Sequence, residues 1–268
     1  MIIPDPNSIV ALMKECSERI LLPSFGKLGK NQIWQKENNS LVTQADLDSE
    51  KFLIRRLMDM VPGSLTVGEE ETEGNPRILD YLENEHAVWV VDPLDGTSNY
   101  ARGDKKFAIL ISLCVKGEIV AGWLGMPAFD LYLWGIKGEG TWSQGQKLKT
   151  KDPAGADLLL LSGSLGDRVR KLSGLENQFR SITNYRCCGA EYVDIALGKL
   201  DFAHYRRTKP WDHCAGNIVI REAGGAIGEL IGGSNYKPWQ SAKEGILVAS
   251  SDKVFSKVGN VLRKALIA

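Results

Sequence analysis

Two aspartates stand three residues apart at the end of an apolar run, in Trp89-Val90-Val91-Asp92-Pro93-Leu94-Asp95-Gly96-Thr97-Ser98. The run Val88 to Val91 predicts a buried strand, and Pro93 restricts the backbone between the two carboxylates that the strand delivers. Both acids and the Leu94 carbonyl are hard oxygen donors, the type that Mg²⁺ demands in near-octahedral geometry. Taken singly, Asp95-Gly96 is a turn and Thr97 a helix cap, positions these residue types favour for local reasons. Taken together, two acids at the end of a buried strand would each cost several kcal/mol without a cation, so a metal site accounts for them better. Gly96, Thr97 and Ser98 then open a predicted helix whose free N–H groups suit a phosphate.

Three other acidic stretches have ordinary explanations when considered alone. Glu69 and Glu70 follow a short strand, Leu65 to Val67, but belong to an acidic run that reads as a solvated loop. Asp46 lies in the first turn of a helix predicted from about Thr43 toward Met60, ended by Pro62-Gly63. Asp212 opens a predicted helix, Cys214 to Ala223, where aspartate is a favoured N-cap.

Their order and spacing change that estimate. Leu41-Val42-Thr43-Gln44-Ala45-Asp46, Gly68-Glu69-Glu70, Asp92-Pro93-Leu94-Asp95-Gly96-Thr97 and Trp211-Asp212-His213-Cys214-Ala215-Gly216 resemble the LVTxxD, GEE, DPLDGT and WDxxAG elements of the inositol monophosphatase family, one of the Mg²⁺-dependent, Li⁺-sensitive sugar phosphatases. The resemblance spans residues 36 to 225. It implies a layered αβαβα sandwich of the kind shared with fructose-1,6-bisphosphatase, a homodimer, and two or three Mg²⁺ ions in an acidic cluster.

By the same resemblance, Glu69, Asp92 and the Leu94 carbonyl hold a first Mg²⁺. Asp92, Asp95 and Asp212 hold a second, with Asp92 shared, and a looser third lies near Glu69. Lys36 sits on a segment covering the site. Asp46 and Thr97 form the relay that orients or deprotonates the attacking water, with Glu69 counted beside them as catalytic. The N–H groups of Gly96 and Thr97 bind phosphate oxygens. Two ions about 4 Å apart would clamp the phosphoryl group and acidify the water that attacks it, so hydrolysis is direct, without a phosphoenzyme.

The substrate pocket departs from the inositol-phosphate pattern. Relatives that take inositol phosphates have a ring-binding glutamate seven residues before the WD aspartate, and here that position is Tyr205, in His204-Tyr205-Arg206-Arg207. Glu191, in Gly189-Ala190-Glu191, stands where relatives often carry a small residue, and Ser164 is placed to reach a substrate hydroxyl. Arg206 and Arg207 suit a second phosphate or a carboxylate, Tyr205 a base or sugar face; alternatively, both arginines are solvated surface charges. The small phosphorylated metabolite is therefore an inositol phosphate or a related sugar or polyol phosphate. Histidinol phosphate, fructose bisphosphate and a 3′(2′),5′-bisphosphorylated nucleotide are the alternatives. From another class, a regulatory or binding protein on the same fold would have lost turnover.

The elements that must position these residues fall into two halves, 1–150 and 151–268. A helix at 8–22, capped by Asn7 or Ser8, is expected to lie on a sheet, and hairpins at 107–126 and 138–145 predict antiparallel strands. Beyond residue 150 short strands alternate with helices near 167–175 and 192–198. Over 268 residues, 33 basic side chains balance 33 acidic ones, leaving no global field for a nucleic-acid polymer or an anionic membrane. Five cysteines without CxxC spacing fit reduced thiols in a cytoplasm, Cys187-Cys188 being expected at a strand end as buried apolar groups. Three histidines without ligand spacing argue against zinc. The N-terminal residues lack the features of a signal peptide, and no apolar run reaches a membrane span.

Overall fold

The computed structural model describes residues 3–36, 40–83, 86–153, 159–163, 179–181, 184–230, 235–240, 242 and 245–267. Strand β4 (Ala87–Asp95) lies near one side of a seven-stranded sheet that runs β3 (Leu65–Gly68), β4, β5 (Ala108–Val115), β6 (Glu118–Met126), β7 (Leu131–Ile136), β8 (Gly140–Ser143), β9 (Gln146–Leu148). Strand β3 is parallel to β4 and the remaining pairs are antiparallel. A two-stranded ribbon, β1 (Ile33–Gln35) with β2 (Leu41–Thr43), precedes this sheet. The second sheet has the order β11 (Phe179–Ser181), β10 (Leu159–Gly163), β12 (Phe202–Tyr205), β14 (Ile246–Ala249), β13 (Ala226–Glu229). The expected division near residue 150 falls in the crossing from β9 to β10.

The layers follow from the period-two alternation of β4. Trp89 and Val91 face α1 (Pro6–Cys16) and α2 (Gln44–Met60), which bury Ile9, Leu12, Met13, Leu53 and Leu57 there. Val88 and Val90 face the opposite way, onto α5 (Cys188–Ala196) and α6 (Pro210–Glu222), with Tyr192, Val193, Ala215 and Val219 in that layer. Ala203, Ile246 and Val248 of the second sheet close over the same pair of helices, and α7 (Asp252–Ile267) packs on β13 and β14. The chain is thus a mixed α/β protein layered helix, sheet, helix, sheet, helix, as expected.

Local differences have local causes. Helix α1 starts at Pro6, earlier than expected, because Asp5 caps it: its carboxylate accepts from Ser8 N–H at 3.2 Å, and proline suits the first turn. Helix α5 begins at Cys188, four residues before the expected 192, and α6 begins at Pro210, so Asp212 sits in its first turn and is no cap. The helix expected near 167–175 lies outside the described residues.

Helix α6 is seated by close approach. A Cβ on Gly122 of β6 would meet Ala215 backbone at 2.9 Å, and one on Gly216 would meet the Tyr192 ring at 2.4 Å. Tyr192 cannot yield easily, since its ring stacks on Tyr205 with centroids 5.7 Å apart. Gly216→Ala should therefore destabilise the fold by about 1–3 kcal/mol, read as a lower urea midpoint. An unchanged midpoint would show that α5 and α6 can slide apart.

Candidate active site

Strand pairing brings the acids together. Gly68 of β3 lies opposite Val91 of β4, so Glu69 leaves its strand beside Asp92. Between Asp92 and Asp95 the β4–β5 register slips, three steps on β4 matching two on β5. Such a bulge re-aims the side chains around it, and Pro93, which has no N–H to give the ladder, stands within it. The chain then turns at Gly96 (φ +83°), where a Cβ would meet Lys106 carbonyl at 2.9 Å, and enters the short helix α4 (Thr97–Ala101).

Each acid has a distinct set of partners. Asp92 is buried and its Oδ1 accepts from Leu94 N–H at 3.0 Å. Burial raises its carboxyl well above the usual range, and the charges of Glu69, Asp95 and Asp212 raise it further. Burial raises Asp95 as well, against the hydrogen bonds from Gly189, Cys187 and Cys188 and with a smaller push from the Glu69 charge, and burial with the Glu69 and Asp95 charges raises Asp212 well above the usual range. Asp95 Oδ2 accepts from Gly189 N–H at 2.6 Å. The charges of Lys209 and Arg207 act on Asp212 in the opposite sense.

Asp46 and Thr97, 51 residues apart, meet directly: Thr97 Oγ1 lies 3.0 Å from Asp46 Oδ1 and 3.1 Å from the Leu94 carbonyl. Asp46 Oδ2 accepts from Thr43 N–H (2.8 Å) and Oγ1–H (2.6 Å), closing a capping box on α2. Burial pushes Asp46 up to about 6 against those hydrogen bonds. Lys36 Nζ donates to Glu69 Oε1 and to Glu70, each at 2.9 Å. Burial opposes its charge, but the two glutamates hold its pKa raised.

Glu50 is a site residue that the sequence reading missed. Its carboxylate accepts from Glu70 N–H and Glu71 N–H, both at 2.8 Å, and so fixes the first turn of α3 (Glu69–Gly74). The signal was present, because Glu50 is four residues from Asp46 and shares its helix face. Gly68 leaves room for this carboxylate, which a Cβ would meet at 2.5 Å. Burial pushes Glu50 up to about 7, and burial with the Glu69 charge pushes Glu70 up to about 8.

Two sequence expectations need correction. Tyr205 does not serve a substrate pocket: it is buried, stacked on Tyr192 and tilted against His213 at 4.9 Å, because all four residues of β12 are interior. Cys187 and Cys188 pack into the apolar core but not at a strand end: Cys187 caps α5 and Cys188 opens it, both thiols against Asp95. Glu191 is buried in the first turn of α5, its Oε1 3.4 Å from Tyr185 N. Ser164 lies outside the described residues. Arg206 is exposed, and with Arg207, Thr208, Lys209, Pro210, Trp239 and the acids Asp80 and Glu83 it lines a cavity of ≈ 380 Å³.

The loop holding those cations is tied down by His213. A carbonyl only accepts, so Nε2–H of His213 donates to Arg207 O (2.8 Å) and Nδ1 accepts from the Tyr192 hydroxyl (3.0 Å). Burial pushes this imidazole down to about 4, which keeps it neutral.

A model of the inositol monophosphatase family matches residues 9–265. The chain belongs to the inositol monophosphatase family. It is 32% identical over 229 residues to a fructose-1,6-bisphosphatase/inositol-1-monophosphatase of Aquifex aeolicus, covering 81% of this chain and 84% of that one. It is 27% identical over 239 residues to the Nus factor SuhB of Pasteurella multocida, covering 86% and 85%. Among solved structures, an inositol monophosphatase (IMPase) of Thermotoga maritima superposes with a TM-score of 0.82 over 97% of each chain, at 21% identity.

The donors, the carboxylates of Glu69, Asp92, Asp95 and Asp212 and the Leu94 carbonyl, are hard oxygens that suit a hard divalent cation. Among the described residues, no three His, Cys, Asp or Glu side chains are gathered closely enough to hold one ion as they stand. Glu69 is engaged by Lys36 instead. In this state Asp46, Glu50 and Glu70 hold protons at pH values where the unfolded chain has lost them. Carboxyls raised on folding favour the fold below their unfolded values, and that contribution is lost as pH rises through about 6, 7 and 8. In EDTA the melting temperature should thus fall by at least about 3 °C from pH 5 to pH 8, and Mg²⁺ should raise it more at pH 8 than at pH 5. A flat profile in EDTA would contradict the buried-acid account.

Proposed function

We propose that this chain is a Mg²⁺-dependent phosphatase that hydrolyses a small phosphomonoester directly with water. The observation that carries this reading is the contact of Thr97 with both Asp46 and the Leu94 carbonyl, beside the buried acids Asp92, Asp95 and Asp212. Glu69, Asp92 and the Leu94 carbonyl would hold one ion, and Asp92, Asp95 and Asp212 another. A bound ion supplies Lewis acidity to the phosphoryl group and makes water a stronger acid.

The side chains do the rest. The Asp46 carboxylate, titrating near neutrality, takes a proton through Thr97 Oγ1 and gives it up again between turnovers. Gly96 and Thr97 offer N–H groups to phosphate oxygens, and Lys36 adds a positive charge at Glu69. We also assign to this protein sensitivity to Li⁺, a homodimeric assembly and a cytoplasmic location. Of its helices among the described residues, none is long and apolar enough to cross a membrane.

The cavity beside Asp212 favours a substrate with a second anionic group. Arg207 and Lys209 line it and lie two turns of chain or less from Asp212, whose carboxyl feels both charges. The bisphosphatase name of the Aquifex relative agrees with such a substrate. Arg207→Gln should lower kcat/KM about tenfold for a bisphosphorylated substrate and leave a matched monophosphate unchanged. Equal effects on both would remove the cavity from substrate binding.

The Nus factor relative supports a second reading, a regulatory protein on the same fold. Phosphate release decides between them. EDTA should abolish turnover and Mg²⁺ restore it, and Asp92→Asn should lower kcat more than about a hundredfold while the protein stays folded. Absence of turnover on any phosphomonoester in Mg²⁺ would favour the regulatory reading.

A further inference from the structure

Three donors converge on one oxygen of Asp95. Gly189 N–H reaches Oδ2 at 2.6 Å, Cys187 Sγ at 3.2 Å and Cys188 Sγ at 3.4 Å. Cys188 Sγ also lies 3.1 Å from the Asp212 carbonyl, so its single S–H is shared between two acceptors and one thiol spans the exit of β4 and the first turn of α6. The crowding at this corner is high. A Cβ at Gly189 would meet Ala108 and Leu110 at 2.7 Å, and one at Gly96 would meet the Cys187 Cβ at 3.1 Å.

Both are free thiols, and at these distances each serves as a weak S–H donor. The carboxylate they hold therefore has one oxygen occupied by the protein and the other, Oδ1, left for a ligand.

We propose that Cys187 and Cys188 are positioning residues that clamp Asp95 Oδ2, so that Oδ1 alone is presented to a divalent cation, and that Cys188 also sets the spacing between Asp95 and Asp212. The proposal rests on Asp95 being a ligand, as the proposed function has it. Outer-shell partners of this kind orient a ligand and raise its basicity. Neither thiol has a part in proton transfer.

Mg²⁺ titration of the metal-free protein by calorimetry tests this without any substrate. Cys187→Ala should weaken Mg²⁺ binding about tenfold, and Cys187→Ala with Cys188→Ala should weaken it further. Cys187→Ser, which keeps a donor, should stay within about threefold of wild type. Cys114→Ala, which removes a buried thiol elsewhere in the same core, should leave the affinity unchanged even if it lowers the melting temperature. Infrared spectra add a signature independent of stability, since the S–H bands of Cys187 and Cys188 should shift when Mg²⁺ draws on Asp95. Wild-type affinity in the double alanine variant, or S–H bands indifferent to Mg²⁺, would overturn the proposal. The order of affinities bears on the clamp whether or not any phosphomonoester is turned over.

Discussion

Mutual repulsion among acids withdrawn from water is the constraint on which this protein is organised. Burial raises Asp92, Asp95 and Asp212, the Glu69 charge adds to all three, and Asp95 raises both Asp92 and Asp212. A fold gains nothing from such a cluster by itself, since each buried charge costs several kcal/mol unless it is matched. The surrounding elements hold the acids in place, where the proposed function would have a cation offset them. The β4 bulge aims two carboxylates, the parallel β3 brings Glu69 beside them, and the glycine contacts of α6 fix Asp212.

Backbone donors supply most of the local compensation. Glu50 takes two N–H groups of α3, Asp95 takes one from α5, and Asp46 takes one from its own cap. Lys36 is the principal side-chain cation at the site and neutralises only the Glu69–Glu70 end. Around Asp212 the cations of the neighbouring cavity act from farther away. The charge left over, centred on Asp92, is where a divalent ion would bind most strongly.

Much of this was legible in the sequence because strand exits have strong local signatures. An apolar run ending in Asp-Pro-Leu-Asp-Gly-Thr cannot be an ordinary buried strand, and the spacing of the other three motifs supplied the partners. The layered architecture followed with them. What stayed hidden depends on which side of an element faces inward, which a four-residue strand does not encode. Tyr205 read as a pocket residue for that reason, although β12 is buried on both faces. Cys187 and Cys188 carried no signal, since vicinal thiols have no spacing rule, and only the fold places them on Asp95. Glu50 could have been found from its helical register with Asp46. Strands β13 and β14 and helix α7 were not anticipated either, because short apolar runs near a chain end resemble one another until a sheet pairs them.

The central claim is that the acid cluster is completed by a divalent cation that displaces protons as it binds. Mg²⁺ binding measured by calorimetry in two buffers of different ionisation enthalpy tests it most directly, because the difference in heat counts the protons released. The account predicts net proton release at pH 6 and less at pH 8, where Asp46 and Glu50, raised to about 6 and about 7, have already ionised. Binding with no proton release at either pH, or no binding at all, would contradict it.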